Sequence, residues 1–323
     1  MMKIIQKEQD INLPLNTSVT GKWNKNVYTI LEPLGSGANG TVYLALHQNK
    51  KVAIKISEEE TNITSEVNIL KKLARTNEVQ LKNMFIEADD YDFNGTLLYF
   101  YSMTYIEGED FLPFIGKNGQ EWMRILIIQL LNQLSVLHSQ GYIFGDLKPD
   151  NMKVKSFPPT VSLLDVGGIT LFGRSVKQFT EFFDRGYWGL GSRKAEPTYD
   201  LFSVAMIMVN VAYPRRFSKK NYQSNQILFQ MVRENEMIRP FAYIIESALL
   251  GKIKSAEEMK SLLLGVDLQS KMKKVTKSTA PQNGTQKKSN YKSKKKNKIY
   301  SAIETILIIT LLAVAYSFYI LVQ

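Results

Sequence analysis

Residues 142–151, YIFGDLKPDN, set Asp146, Lys148 and Asn151 at the spacing of a phosphoryl-transfer loop. The two residues before the aspartate, Phe144 and Gly145, are not what most loops of that kind carry. Three outcomes are therefore open: a working catalyst, a disabled one, or one of another kind. Upstream, LGSGANGTV over residues 34–42 places Gly35, Gly37 and Gly40 between two apparent strands. Glycines there let backbone N–H groups approach phosphates without intervening side chains. Alone the pattern is weak, and a plain hairpin turn explains it better. A dinucleotide-binding loop would need a helix next, whereas TVYLAL reads as a strand. Fifteen residues after Gly40 stands Lys55, in VAIK. A lysine between apolar residues just after such a loop is better explained as a phosphate ligand than as a solvated strand edge.

These residues need elements to position them. From Tyr28 to about Ile106 the pattern is that of strands: VYTILEPLG, GTVYLAL, KVAIKI and TLLYFYSMTYI. One helix interrupts them, TSEVNILKKLAR, with Val67, Leu70 and Leu73 on a common face. After Gly108 the texture becomes helical. EWMRILIIQLLNQLSVLHSQG is a long apolar helix ended by Gly141. TYDLFSVAMIMVNVAY and FAYIIESALLG read as further helices, the first apolar all round and so buried. A β-rich half followed by a helical half predicts an α+β, bilobal chain with a ligand cleft between the lobes.

The glycine loop, VAIK, DLKPDN and LLDVGG occur in this order. Together they resemble the Hanks-type, eukaryotic-like serine/threonine protein kinases over about residues 28–265. Within that family the chain is most similar to the membrane-anchored YabT-type kinases of spore-forming bacilli. The resemblance implies the bilobal kinase fold, ATP, Mg²⁺ (with Mn²⁺ as a substitute) and protein substrates. It implies that Asp146 is the catalytic base and that Lys148 steadies the transferring phosphoryl group. Asn151 and Asp165 match the metal ligands, and Lys55 matches the α/β-phosphate lysine that pairs with a helix glutamate. Glu66 is the candidate partner by helical phase, although eleven residues is a short gap for the family. ATP is expected against Leu34, Gly35, Ser36, Gly37, Ala38, Asn39, Gly40, Thr41 and Val42, then Ala53 and Lys55. Met103, Tyr105 and Asp110 match the hinge, with Met103 as gatekeeper, Tyr105 beside the adenine and Asp110 near the ribose. His138 matches a structural helix position, and Asp200 the helix aspartate that braces the catalytic loop. Glu58, Glu59 and Glu60 read as a solvated charge run.

Three departures qualify the match. Phe144-Gly145 replaces His-Arg, which removes the group that binds a phosphorylated activation segment but no part of proton transfer. DVG replaces DFG, with the metal-binding aspartate kept. YWGLGSRKAEP stands where an APE sequence is expected, which leaves peptide preference unreadable. The retained groups point to an active kinase of the non-RD kind.

The chain has 323 residues, 44% apolar content and no cysteine, which excludes a disulfide framework and thiolate metal chemistry. Its net charge of +11 is local: residues 271–298 hold eleven lysines and no acidic residue, and the remaining 30 basic and 30 acidic residues balance. Low hydropathy makes that segment a disordered linker. After Glu304 come 19 uncharged residues, roughly 28 Å of helix, close to the thickness of a bilayer. The expected organisation is a loose lead-in at 1–27, N-lobe 28–107, C-lobe 108–266, lysine-rich linker 267–298 and transmembrane helix 299–323. Lysines beside the span place the kinase domain in the cytoplasm, at the cell membrane. The linker is expected to meet DNA without sequence preference, or anionic lipid, and to favour self-association for trans-autophosphorylation. Two other readings stand beside this one: a small-molecule kinase, suggested by the Gly-Asp step, and a membrane-tethered nucleic-acid-binding scaffold with a weak or inactive kinase fold.

Overall fold

Alternating apolar residues from Val27 onward build a sheet. In a computed structural model, residues 11–37, 39–75, 84–176, 180–219 and 225–266 are described. The strands are β1 (Ser18–Thr20), β2 (Val27–Gly37), β3 (Gly40–His47), β4 (Lys50–Ser57), β5 (Phe85–Phe93) and β6 (Thr96–Thr104). They form one antiparallel sheet in the order β1-β2-β3-β4-β6-β5. Its tight turns follow from backbone preference: Gln48-Asn49 and Asn94-Gly95 all adopt the positive φ that two-residue hairpins require. One face of the sheet buries Tyr28, Ile30, Tyr43, Ile54 and Phe100. The other is covered by helix α1 (Glu60–Leu73), whose Ile63, Val67, Leu70 and Leu73 are buried.

The expectation of a loose lead-in fails for residues 11–26. Ile11, Leu13 and Val19 join the first core. The Leu13 N–H donates to the Tyr43 hydroxyl at 3.0 Å, and that hydroxyl donates in turn to the Ile11 carbonyl. Buried Asp89 accepts the N–H groups of Trp23 at 3.0 Å and Asn24 at 2.7 Å. Polar as they are, these residues are held by partners far along the chain.

The second half is helical. It comprises α2 (Phe111–Asn118), α3 (Glu121–Ser139), α4 (Arg185–Trp188), α5 (Pro197–Ala212), α6 (Gln226–Glu234), α7 (Ala242–Leu249) and α8 (Ala256–Leu264). Every residue of α5 from Thr198 to Val211 is buried, the polar Asp200, Ser203 and Asn210 included. Short strands serve the site: β7 (Glu109–Asp110), β9 (Met152–Ser156) and β10 (Pro159–Leu163) form one sheet, and β8 (Tyr142–Ile143) pairs with β11 (Thr170–Leu171). Both halves belong to one compact unit. Among the described residues no helix is long and apolar enough to cross a membrane. The lysine-rich linker and the apolar C-terminal stretch lie outside the described residues, as does Ala38.

Candidate active site

Lys55 sits near the end of β4 and Glu66 in the middle of α1, which begins only a few residues later. The short connection still lets them meet: Lys55 Nζ donates to Glu66 Oε1 and Oε2, both at 2.8 Å. Asp165 Oδ1 stands 3.7 Å from the same ammonium. Each member of the Lys55–Glu66 pair is only 3% exposed, so the pair is shielded from solvent screening. Burial pushes the Lys55 ammonium down, but the Asp165 and Glu66 carboxylates outweigh it and hold it above the usual lysine value. The same burial raises the pKa of Glu66. A Cβ at Gly167 would lie 3.0 Å from Glu66 Oε1 and 3.3 Å from Lys55 Nζ. The glycine after Val166 therefore lets the three charges converge.

Sequence reasoning missed Tyr101, which donates to Glu66 Oε2 at 2.8 Å. It lies on β6 directly across from Lys55, so strand register was the signal that would have found it.

The catalytic loop runs from β8 through Asp146 to a single 3-10 turn at Pro149–Asn151. Lys148 Nζ donates to Asp146 Oδ2 at 2.7 Å. Asn151 Nδ2 donates to the Asp146 carbonyl at 2.8 Å and to Oδ2 at 3.1 Å. The other carboxylate oxygen, Oδ1, has no hydrogen-bond partner among the described residues. Below the loop, Asp200 is fully buried and spends both oxygens on it. Oδ2 accepts Phe144 N–H at 2.8 Å and His138 Nε2 at 2.9 Å, and Oδ1 accepts Gly145 N–H at 2.9 Å.

Of the three family departures, the one at residue 145 has a backbone explanation. Phe144 and Val166 are both buried in the large core. Gly145 has φ +78°, and a Cβ there would come within 2.5 Å of the Gly168 carbonyl oxygen. An arginine cannot stand in that position without moving the loop.

Of the remaining predicted site residues, Ala53 and Met103 are cross-strand neighbours and nearly buried. Leu34 is exposed, and Val42 pairs with Lys55 across β3 and β4. Gly35, Ser36 and Gly37 close against Val42, Thr41 and Gly40, with Asn39 in the turn. Thr41 alternates to the face opposite Val42, where with Ile11, Asn12 and Tyr43 it lines a cavity of about 420 Å³. Tyr105 is half-buried, and exposed Asp110 pairs with Lys153 at 2.7 Å. Glu58, Glu59 and Glu60 are exposed.

Asp165 and Asn151 offer hard oxygen donors that suit Mg²⁺, which is normally held by one or two carboxylates together with substrate phosphates. The Asp165 side chain is 47% exposed and open to a ligand. The Asn151 amide nitrogen is spent on Asp146, and its oxygen remains for a cation.

Residues 28–299 match the protein kinase domain family. The chain is 44% identical over 279 residues to the serine/threonine-protein kinase YabT of Bacillus subtilis strain 168, covering 86% of this chain and 82% of that protein. It is 30% identical over 207 residues to the mitosis inhibitor protein kinase SWE1 of Candida albicans, covering 55% of this chain but 17% of that protein. It is 24% identical over 211 residues to the probable casein kinase II subunit alpha homolog of Encephalitozoon cuniculi, covering 64% of each.

Proposed function

This chain belongs to the protein kinase family, and from that premise we propose how its residues carry out serine/threonine phosphorylation. It is an ATP-dependent serine/threonine protein kinase of the YabT-like, bacterial Hanks type. The substrate hydroxyl oxygen attacks the γ-phosphorus, the bond to the β–γ bridging oxygen breaks, and ADP leaves. Asp146 receives the hydroxyl proton, with Oδ1 as the oxygen that has unused capacity. Lys148 neutralises the transferring group, and Lys55, fixed by Glu66, holds the α/β-phosphates. Asn151 and Asp165 would hold Mg²⁺, which would offset charge on the phosphate oxygens. Leu34 to Gly40, Val42, Ala53, Met103, Tyr105 and Asp110 form the nucleotide's surroundings, whereas the Thr41 side chain lies on the face opposite Val42.

The single observation that supports this assignment most is the closed Lys55–Glu66 pair at 2.8 Å with Asp165 beside it, because kinases need both in place to act. Asp146→Asn tests it. The variant should lose at least about a hundredfold in phosphoryl transfer while still binding ATP, whereas Lys55→Ala should weaken productive nucleotide binding. An Asp146→Asn chain that keeps more than about a tenth of wild-type activity would refute the assignment. The matched relatives are named as protein kinases, which favours protein hydroxyls over a small-molecule acceptor.

For the segments outside the described residues, the reading is a linker at 267–298 and a membrane span at 299–323. The 19 uncharged residues after Glu304 and the eleven lysines before them support it. It places the kinase domain on the cytoplasmic side of the cell membrane, with the linker available to DNA or anionic lipid.

A further inference from the structure

With glycine at 145, no arginine stands before Asp146 to bind a phosphate on the segment between Asp165 and Asp200, and Lys148 is engaged with Asp146. Among the described residues of that segment, two internal ion pairs stand instead. Asp184 is 1% exposed and caps α4, accepting Gly186 N–H at 2.9 Å. Its Oδ2 takes Arg193 Nε at 2.7 Å and also Arg193 Nη2. Arg185, 4% exposed, donates to Ser192 O at 2.5 Å, Thr198 Oγ1 at 2.7 Å and Glu196 Oε1 at 2.7 Å. Both arginines lie over glycines: a Cβ at Gly186 would be 2.9 Å from Arg193 Cγ, and one at Gly191 would be 3.0 Å from Arg185 Cδ.

The braced loop is connected in two directions. Backbone hydrogen bonds from Val176 to Arg193 and from Ala195 to Arg174, each 2.7 Å, zip it to residues 173–176. The Tyr199 hydroxyl donates to Asp184 Oδ1 at 3.1 Å, and the next residue is Asp200, which holds the backbone of Phe144 and Gly145. We propose that Asp184, Arg185, Arg193 and Glu196 are positioning residues that hold the activation segment in its substrate-docking shape without phosphate. Tyr199 and Asp200 transmit that shape to the catalytic loop. The proposal rests on the kinase reading and adds how its protein-substrate side is set.

The experiment uses the full chain in mild detergent, with myelin basic protein as substrate. Arg193 is half-exposed, so Arg193→Ala removes a cation without opening a core cavity. KM for myelin basic protein should rise about tenfold or more, the scale of losing a charged hydrogen bond, with KM for ATP nearly unchanged. Arg193→Lys should recover part of the loss. Phosphatase-treated wild-type chain, phosphate-free by mass spectrometry, should keep its protein KM within a few fold. If Arg193→Ala fails to fold by thermal melting, Glu196→Gln carries the same expectation. An unchanged protein KM in the folded variant would overturn the proposal, and so would a wild-type KM that phosphatase raises to the variant's level. A wild-type chain that transfers no phosphate to any protein would overturn the kinase reading, and the proposal with it.

Discussion

Burial raises the pKa of Asp146 above the ordinary aspartate value, and the hydrogen bonds from Lys148 and Asn151 offset that only in part. Two consequences follow from the sign. The base must be ionised to accept a proton, so kcat should fall on the acid side through a value above 3.8, the ordinary position for aspartate. The folded state also binds this proton more tightly than the unfolded chain does, so stability from this group falls as pH rises from the ordinary value through the raised one. Asp146→Asn should therefore melt higher than wild type at neutral pH, with the gain vanishing below the ordinary aspartate pKa. Melting curves of both proteins across pH check this. A variant that melts lower at neutral pH would show that the Lys148 contact outweighs the burial penalty.

Helix α1 has to present Glu66 to β4, and its far end is tied down to make that possible. Lys72 Nζ donates to the Tyr142 hydroxyl at 2.7 Å and lies over its ring, so the helix is anchored to β8, the strand that feeds the catalytic loop. That loop tolerates little change in shape. Gly145 combines a left-handed backbone with the near contact to Gly168. Gly145→Arg should therefore not restore phosphate control. It should destabilise the domain by about 1–3 kcal/mol, the range for strained backbone positions, read by chemical denaturation. Unchanged stability would mean that the loop can relax around a side chain. Activation by phosphorylation in that variant would contradict the assignment of segment control to Asp184 and its partners.

The molecule as a whole is formally neutral apart from one segment, so any long-range attraction of an anionic partner would act there. If about six lysines of residues 271–298 neutralise phosphates, log K for DNA should fall against log salt with a slope near −5. Tyr291 is the only aromatic residue there, so base stacking is minimal and binding should ignore sequence. On anionic vesicles each lysine near the surface adds about 1 kcal/mol. A chain truncated after Lys298 should shift DNA in gels at low salt, and one truncated after Val266 should not. Equal binding by the two would remove the linker from the account. Kinase activity that DNA leaves unchanged would restrict the segment to the membrane side.

Lys55, Asp146, Lys148, Asn151 and Asp165 were legible as motifs because their spacing is covalent: a loop of fixed length and a strand of period two place them whatever surrounds them. The β-rich and helical halves were legible for the same reason, since periodicity is local. Tertiary structure alone decided which polar residues are buried together. Asp89 belongs to no motif, yet it anchors Trp23 and Asn24 from 66 and 65 residues away. Asp184, Arg185, Arg193 and Glu196 form no motif, and nothing in their order says which acid meets which base. The worth of a charge depends on the dielectric around it and on the groups that share it, and both are set by what folds over the residue, not by its neighbours in the chain.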